Sequence, residues 1–390
     1  MTLLIAYSLR HLLARRVTTC LTLMSLALVT LALLALLMAV DGLERALIDS
    51  GSNDNLLLLR KGATTEISSG ITRAQALVVG TLPGIARDNA GHPLLASEMV
   101  VLINMPKQGA THPSNVVVRG TSPQAAALRP QIRLRNGRLW TPGTTEIVLG
   151  AEIATRFLTG GIGEQVVIGK RVWTVVGIMD AQGTAFDSEI WGDVDQLLAL
   201  YGRDSYSSVT LRLSEPSGRE TMETAVAADP RLQLLVKRER DYYREKSVTL
   251  ATFIRVLGLT FTGIFSLGAV LAGTTALYGA VAARTREIGV LRALGFGPPR
   301  ILAVFLTEAV AIGLSAGLIA ILAGSALQAV TVSTMNFSTF SEVAFRLTLT
   351  PRTATIALLF AVAIALAGGL APAVRAARMR VTAALTAPGR

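Results

Sequence analysis

Residues Val256 to Ala283 read VLGLTFTGIFSLGAVLAGTTALYGAVAA, a run of 28 residues without a charged side chain. A helix that crosses a bilayer needs roughly 20 predominantly apolar residues, and lipid permits few other folds because every backbone polar group must be paired internally. This run is long enough for one transmembrane helix. The fold class therefore depends on how many similar runs the chain contains.

Three other segments have the same character. Val17–Val40 and Thr353–Val374 contain no charged residue, and Ile301–Val330 contains one, Glu308. Only 16% of the chain is charged, whereas a soluble domain has about 25%. The first segment is longer than the ~7–15 apolar residues of a signal peptide, so we interpret it as a retained anchor. We predict four transmembrane α-helices, at residues 17–40, 248–283, 301–330 and 353–374.

Arginine residues flank these segments unevenly, and the arginine-rich ends of membrane helices face the cytoplasm. The N-terminus, the loop 284–300 and the tail 375–390 are therefore predicted to be cytoplasmic, and segment 41–247 to lie outside. Residues 331–352 carry few arginines and are predicted to form a short outer loop. The net charge of +11 partly reflects this distribution, so membrane lipids are predicted as partners and nucleic acid is not. The arginines that lead to this prediction are Arg10, Arg15, Arg16, Arg284, Arg286, Arg292, Arg300, Arg375, Arg378, Arg380 and Arg390.

Segment 41–247 has the pattern of a large folded α+β domain between the first two membrane helices. The single cysteine, Cys20, lies in the first membrane helix, so this domain has no internal disulfide bond and must be stabilised by packing. Residues 55–104 and 209–236 each have the pattern strand, helix, strand. We predict two small βαβ-like units around a middle insertion.

Two local patterns in this domain are specific. VVIGKRVWTVVGI, Val166–Ile178, predicts a β-hairpin with its turn at Gly169-Lys170. DYYREKSVTLATFIR, Asp241–Arg255, predicts a charged helical stalk that continues the second membrane helix beyond the lipid. The domain would then be connected to the membrane helices by helical segments.

The sequence motifs of catalysis and of cofactor binding are missing. Glu164 and Arg171 flank the Gly169-Lys170 pair at the positions where a phosphate-binding loop needs Gly and Ser or Thr. The histidines and the cysteine lack the spacing of a zinc site. The carboxylates of segment 41–247 are scattered, which is typical of solvated side chains. We predict no catalytic, cofactor-binding or metal-binding residues, so chemical energy would have to come from a partner.

The stretch that follows the opening run, Arg284–Leu302, reads RTREIGVLRALGFGPPRIL. Its apolar residues recur at i, i+3 and i+6, which predicts one side of a short helix, and glycines and prolines predict its end. Such a helix could insert into a groove on a soluble partner, or its apolar side could rest on the membrane interface. The residues concerned are Ile288, Leu291 and Leu294, followed by Gly295, Gly297, Pro298 and Pro299.

This stretch closely resembles the coupling-helix signature of the MacB/FtsX superfamily of ABC-transporter permeases, R-x-x-E-I-G-x-L-R-A-L-G. LRHLLARRVTTCLTLMSLAL resembles the family's amphipathic N-terminal helix, here residues 1–16, and its first span. GLAPAVRAARMRVTAAL, Gly369–Leu385, resembles the ending after its fourth span. EIVLGAEIATRF and VVIGKRVWTVVGIMD resemble the outer domain of its macrolide-exporter-type members. The matching signature residues are Arg286, Glu287, Ile288, Gly289, Leu291, Arg292, Ala293, Leu294 and Gly295.

The resemblance implies a mechanism for a bacterial inner-membrane protein. Each coupling helix would dock on a cytoplasmic ABC ATPase that binds ATP and Mg, and the ATPase would drive the motion of a permease dimer. The motion would reach the periplasmic domains without passage of substrate through the spans, which is mechanotransmission. In macrolide-exporter-type members the ATPase is fused to the N-terminus. Here the sequence begins only about ten residues before Arg10–Arg16, so we expect the ATPase to be a separate chain. The coupling residues implied are Arg286, Glu287, Ile288, Leu291, Arg292, Leu294 and Gly295.

The resemblance leaves the subfamily open. Export or extraction of a substrate is the leading interpretation, because the outer segment of roughly 200 residues is larger than in most division-type members. The alternatives are a signalling permease that activates an external cell-wall hydrolase and a sensor or scaffold that works without an ATPase. The need for a periplasmic adaptor and an outer-membrane channel, and the substrate itself, also stay open.

Small residues in the membrane segments predict close helix packing. Gly313 and Gly317 form a GxxxG pattern on the third segment, which fits either a dimer or packing inside the chain. A stripe of small residues every four positions on the second segment is the predicted dimer seam, with a second copy or a paralogue as partner. The seam residues are Gly268, Ala272, Ala276 and Ala280.

Glu308 is an isolated charge within the third segment. An intramembrane carboxylate is costly and often functional. Glu308 lies only about 10 Å into the helix, however, and a charge near the interface can reach a partner. We favour a structural ion pair with Arg292 or Arg300 over a proton-relay role.

Overall fold

The structure is a computed structural model that describes residues 16–157, 161–335 and 340–379. Nearly all of the predicted amphipathic helix at 1–16 and most of the tail at 375–390 lie outside the described residues. The chain divides into two compact units. We call them the membrane unit (Met1–Asp41, Phe253–Val330 and Leu347–Arg390) and the α+β domain (Gly42–Thr252 and Thr331–Arg346).

Helices and strands of the described residues are numbered in chain order. The helices are α1 Arg16–Ile48, α2 Arg73–Gly80, α3 Gln124–Leu128, α4 Ala151–Arg156, α5 Val194–Tyr201, α6 Arg219–Ala228, α7 Glu239–Ala283, α8 Thr285–Ala293, α9 Pro298–Leu327 and α10 Pro351–Arg378. The strands are β1 Asn55–Arg60, β2 Ile71–Thr72, β3 Leu95–Met105, β4 Ser114–Thr121, β5 Arg133–Gly137, β6 Glu146–Gly150, β7 Gln165–Ile168, β8 Arg171–Asp180, β9 Glu189–Asp193, β10 Ser205–Tyr206, β11 Ser208–Arg212, β12 Leu234–Arg238, β13 Thr331–Met335 and β14 Glu342–Arg346.

Within the described residues, four helices are long and apolar enough to cross a membrane: α1, α7, α9 and α10. Each helix covers one predicted span, except that α9 ends at Leu327, three residues before the predicted end of the third span. The prediction of four membrane helices and an α+β domain is confirmed. α1 continues past Val40 to Ile48 because Leu, Glu, Arg and Ala are good helix formers. α7 begins at Glu239, and its acidic first turn favours the start of a helix. The predicted stalk is thus part of one unbroken helix.

The GxxxG pattern of α9 packs inside the chain. A Cβ atom added to Gly313 would lie 2.8 Å from Cα of Val362, and one added to Gly317 would lie 2.7 Å from Cδ1 of Leu358. Both neighbours are on α10, so the glycines permit an approach that larger residues would prevent. Of the two alternatives for this pattern, the structure shows packing within the bundle.

The two predicted βαβ-like units interleave in one sheet of the α+β domain. The strand order is β12-β1-β11-β3-β4-β9-β6-β8-β5, with β7 paired to β8. β11 lies antiparallel between β1 and β3, and β1 lies antiparallel between β11 and β12. This is the split βαβ arrangement of ferredoxin-like folds. The middle insertion extends the same sheet from β4 to β5.

The predicted hairpin is formed by β7 and β8. Its turn residues Gly169 and Lys170 both have positive φ, 56° and 68°. These values fit a type I′ turn, whose twist matches that of the paired strands. The turn therefore lies where the sequence predicted it.

β13 and β14 form a second hairpin in the segment predicted as a short outer loop. Its two strands belong to the α+β domain, although the chain reaches them only after α9. Two strands of five residues are marginal by themselves, and this hairpin is stabilised by contacts with distant parts of the domain. The prediction of a simple loop at residues 331–352 is therefore wrong for these two strands.

Candidate functional site: a short helix and a buried charge network

The predicted coupling stretch forms the short helix α8, whose ends are well defined. The backbone N–H of Gly295 donates to Arg292 O at 3.2 Å, and that of Phe296 donates to Leu291 O at 3.1 Å. Gly295 has a φ of +92°, which glycine adopts without strain. Pro298 and Pro299 then occupy the first turn of α9, where a proline needs no N–H partner. The prolines both end the stretch and begin the next helix.

The residues predicted to form one apolar side of α8 differ in burial. Ile288 is 3% exposed and packs with Val281, Ile301 and Phe305 in the membrane unit. Leu294 is 71% exposed and Val290 is 46% exposed. The helix thus has an inner side that packs on the bundle and an outer side that is exposed. Arg286 and Glu287 are exposed as well.

Arg292 fixes α8 to the last membrane helix. Its Nη1 donates to Ala377 O, near the end of α10, at 2.6 Å. Of the seven predicted coupling residues, Ile288 and Arg292 therefore make contacts within the chain, and Leu291 is half-buried. The exposed ones are Arg286, Glu287, Leu294 and Gly295.

Glu308 forms a buried ion pair with Arg284, the residue that precedes α8. Arg284 Nη2 lies 3.2 Å from Glu308 Oε1, and the Arg284 side chain is 9% exposed. Glu308 therefore has an ion-pair partner, as predicted, but the predicted partners, Arg292 and Arg300, are wrong. Arg292 reaches Ala377 instead, and Arg300 is exposed in the first turn of α9. The structural role of the pair stays a prediction.

The predicted dimer seam lies on the membrane helix that is least covered by the rest of the chain. In the most apolar window of α7, 11% of residues are buried, against 33–39% in the other three membrane helices. Gly268 and Ala272 are exposed, Ala276 and Ala280 are half-buried, and a Cβ atom on Gly268 would meet open space. The face is accessible in the single chain, and the seam stays a prediction.

Six charged side chains in the α+β domain form what we call the buried charge network. Their exposed fractions are at most 9%. The expectation that the carboxylates of this segment are solvated is therefore wrong for the four in the network, and it is also wrong for Asp187 and Asp193, which are buried outside it. Isolated charges inside apolar strands, as in SEMVVLIN and VVVRG, were the available signal, because a charge there needs a partner. The members are Glu66, Glu98, Arg119, Arg129, Glu189 and Glu239.

Arg119, on β4, connects three carboxylates. Its Nη1 lies 2.9 Å from Glu66 Oε1 and 3.0 Å from Glu98 Oε2, and its Nε lies 2.8 Å from Glu189 Oε2. The Trp191 indole also donates to Glu189 at 2.8 Å. A loop and strands β3, β4 and β9 are thereby joined through one guanidinium group.

Arg129 extends the network to the start of α7. Its Nη1 lies 2.6 Å from Glu98 Oε1, and its Nε lies 2.9 Å from Glu239 Oε1. Burial by itself would raise the pKa of Glu98, but Arg129 and Arg119 lower that pKa to about 2. Both guanidinium groups also lie over the Phe186 ring, at 5.4 and 5.0 Å from its centroid.

Glu239 is the first residue of α7, so the network anchors this helix. Its Oε2 accepts hydrogen bonds from the Ser52 backbone at 3.0 Å and from Asn55 Nδ2 at 2.9 Å. Asn55 begins β1, and Arg129 follows α3. A displacement of the first turn of α7 must therefore break several buried, charge-assisted hydrogen bonds or move the sheet with it.

The network consists of fully paired charges. Each of its carboxylates is held by an arginine, which suits a rigid joint better than proton transfer. In the ranges that the structure describes, no group of three His, Cys, Asp or Glu residues is placed so that it could hold a metal ion. The candidate functional site therefore has two parts, α8 at one end of α7 and the buried charge network at the other.

Two family models match the chain. The model described as "MacB-like periplasmic core domain" matches residues 19–229, which is more than half of the chain. The model described as "FtsX-like permease C-terminal" matches residues 259–381. The first match includes all of the network except Glu239, and the second includes α8, α9 and α10.

Similar proteins include two called "Macrolide export ATP-binding/permease protein MacB". The one from Nitrobacter winogradskyi is 26% identical over 271 residues, 62% of this chain and 38% of that protein. The one from Nitrosomonas europaea is 24% identical over 344 residues, 81% of this chain and 50% of that protein. The chain thus spans half or less of these relatives. Among solved structures, the periplasmic region of MacB from Actinobacillus actinomycetemcomitans matches with 14% identity and a TM-score of 0.38, covering 53% of this chain and 95% of that one.

Proposed function

The chain belongs to the MacB/FtsX superfamily of ABC-transporter permeases, and from this we propose that it transmits ATP-driven motion from a cytoplasmic ABC ATPase to its α+β domain. The α+β domain would then export or extract a substrate on the outer side of a bacterial inner membrane. ATP and Mg would be bound by the ATPase, as a partner subunit. The observation that carries the proposal is the continuity of α7, one helix of 45 residues.

Both ends of α7 are suited to transmit force. At its first residue, Glu239 is held by Arg129 in the buried charge network. At its last residue, Ala283, only Arg284 separates it from α8. A helix is stiff along its axis because its backbone hydrogen bonds run in that direction. A push on α8 would therefore be passed to the sheet without an intervening hinge.

The inner and outer sides of α8 fit complementary roles. Ile288 and Arg292 hold the helix to the bundle, so a force on α8 reaches α9 and α10 as well as α7. Val290 and Leu294 are exposed apolar residues on a short helix, a form that inserts into a hydrophobic groove of a partner. We assign these two residues to the ATPase contact, beside Arg286 and Glu287.

The open face of α7 favours a permease dimer in this proposal. Gly268 and Ala272 expose backbone that another helix can approach closely in lipid. The partner would be a second copy of this chain or a paralogous permease. The relatives named for macrolide export support an exporter rather than a signalling permease, and a periplasmic adaptor with an outer-membrane channel would complete such an exporter.

Co-purification with the genomically neighbouring ABC ATPase tests the proposal. Leu294→Asp places a charge in the proposed groove contact, and we expect it to lower the recovered ATPase at least tenfold. Leu77→Asp is the matched control, because Leu77 is 74% exposed but lies in the α+β domain. Equal recovery with both variants would show that α8 is not the coupling element. Absence of the ATPase from the wild-type preparation would overturn the proposed function.

A further inference from the structure

The β13–β14 hairpin connects two membrane helices to the α+β domain. The chain leaves α9 at Leu327, forms the hairpin from Thr331 to Arg346, and enters α10 at Pro351. The hairpin packs within the α+β domain, where Val343, Ala344 and Phe345 are at most 5% exposed. These buried residues show that the segment is a fixed part of the domain and not a simple connection.

Glu342 is the centre of the hairpin's polar contacts. The Lys107 Nζ donates to Glu342 Oε1 at 2.6 Å, and Arg156 also forms an ion pair with this oxygen. Arg156 Nη2 donates in addition to Ser333 Oγ, on the opposite strand of the hairpin, at 2.7 Å. The exposed fractions of the three charged side chains lie between 13% and 21%. Two cations from separate elements therefore hold one carboxylate, an arrangement we call the Glu342 clamp.

Two further hydrogen bonds hold the backbone of the hairpin. Asn115 Nδ2 donates to Phe340 O at 2.8 Å, and the backbone N–H of Ala344 donates to Ser188 Oγ at 3.1 Å. Asn115 is on β4, Ser188 ends a short 3-10 turn before β9, and Arg156 ends α4. All of these contacts are in the insertion half of the sheet. The start of α7 is held through Glu239 by Asn55 on β1, in the ferredoxin-like half, and by Arg129, which lies in the insertion between β4 and β5.

We propose that the Glu342 clamp is a second transmission contact, through which α9 and α10 move the insertion half of the α+β domain. It acts in addition to α7, which holds the ferredoxin-like half at β1 and reaches the insertion only through Arg129. The inference rests on the proposed function for the source of motion. The clamp itself is independent of any ATPase. Glu342, Lys107 and Arg156 act as positioning residues in this scheme.

Hydrogen–deuterium exchange of the full chain in lipid nanodiscs tests the clamp alone. Glu342→Gln removes the charge that holds Lys107 and Arg156, and we expect exchange in β13 and β14 to become at least tenfold faster. Glu146→Gln is the matched control, because Glu146 forms its ion pair with Arg138 in the same insertion, and its hydrogen bonds are to Arg138 and Thr141 and not to the described residues of the hairpin. Unchanged hairpin exchange in Glu342→Gln would refute the clamp. If Glu342→Gln does not fold, Lys107→Gln takes its place, because it keeps the pair between Arg156 and Glu342. It should give a smaller acceleration of hairpin exchange, and no acceleration would also refute the clamp.

The same measurement with the ATPase bound tests transmission. Comparison of the nucleotide-free complex with one holding a non-hydrolysable ATP analogue should show a change in the exchange of both halves of the wild-type sheet. In Glu342→Gln we expect most of the change to be lost in β4 and β9, where only the path through Arg129 remains, and the change to be kept in β1 and β11. Loss in neither half would overturn the second contact. If the wild-type sheet does not respond to nucleotide in any strand, the proposed function fails while the clamp, measured without ATPase, stands.

Discussion

Glu98 is the residue on which the buried charge network depends most, because it is shared by Arg119 and Arg129. Glu98→Gln would leave both guanidinium groups buried with one carboxylate fewer. Removing one partner of a buried ion pair typically costs about 3–5 kcal/mol, and we expect the free energy of unfolding of the α+β domain to fall by about this amount. Thermal unfolding of the full chain in detergent, followed by tryptophan fluorescence, measures the loss.

An exposed ion pair provides the control for this substitution. Asp195 lies 2.7 Å from Arg73, and both side chains are more than half exposed. Because exposed pairs contribute little to stability, Asp195→Asn should leave the melting temperature nearly unchanged. If both variants shift the melting temperature equally, the network does not stabilise the domain in the way its geometry indicates.

The lowered carboxylate pKa values predict a loss of stability in acid. The pKa of Glu98 is about 2, and that of Glu342 is also about 2, since Lys107 and the other polar partners outweigh its burial. As the pH falls below the ordinary value of 4.5, these groups take up protons in the unfolded chain before they do so in the folded one. The contribution of these two carboxylates to the free energy of unfolding is therefore fully present above about pH 5, and it is lost as the pH falls from about 4.5 to 2. Melting curves at pH 6, 4 and 3 check this, and a smaller slope is expected for Glu98→Gln. A melting temperature independent of pH in this range would contradict the prediction.

At the scale of elements, the same substitution at two glycines of the membrane helices is predicted to destabilise the chain at one site and not at the other. Gly313 contacts α10, and a Cβ atom there would lie 2.8 Å from Val362 Cα. Overpacking of a tight interface costs roughly 1–3 kcal/mol, so Gly313→Leu should lower the thermal stability of the membrane unit. Gly268 faces open space in the single chain, so Gly268→Leu should leave that stability unchanged.

The Gly268 variant also tests the predicted dimer seam. A leucine there would separate two helix backbones that approach each other at small residues, so we expect a lower dimer fraction at equal protein concentration. Native mass spectrometry of the purified chain measures this fraction. An unchanged dimer fraction, with the fold intact, would show that the seam lies on another face.

At the scale of the whole molecule, the elements that the sequence predicted are those with a local physical cause. A membrane span needs only a long apolar run, and the turn at Gly169-Lys170 needs only residues that tolerate positive φ. The buried charge network joins residues that are distant in sequence, such as Glu66 with Arg119 and Arg129 with Glu239. Such pairs follow from sheet topology, which residue spacing does not determine.

The sides of helices show the same distinction. The spacing of Ile288 and Leu294 indicates which residues lie near one another on α8, but burial of one and exposure of the other depends on where α9 and α10 lie. The β13–β14 hairpin was likewise missed because its stability comes from Lys107 and Arg156, far away in the chain. The buried charge network, the exposed side of α8 and the β13–β14 hairpin are therefore the parts that the sequence alone predicts least well.

The unbroken length of α7 yields a last prediction, on the transmission itself. Two glycines inserted between Thr252 and Phe253 would weaken the helix by about 1 kcal/mol each relative to alanine and turn the residues beyond them by about 200°. We expect the melting temperature of the α+β domain and the amount of co-purified ATPase to stay unchanged. The nucleotide-dependent change in the hydrogen exchange of β1 and β11 should fall severalfold. The same insertion after Gly91, in an exposed turn with open space around it, should keep that change. If the α7 insertion also keeps it, force does not travel along α7, and the contact through β13 and β14 must carry the motion to both halves of the sheet.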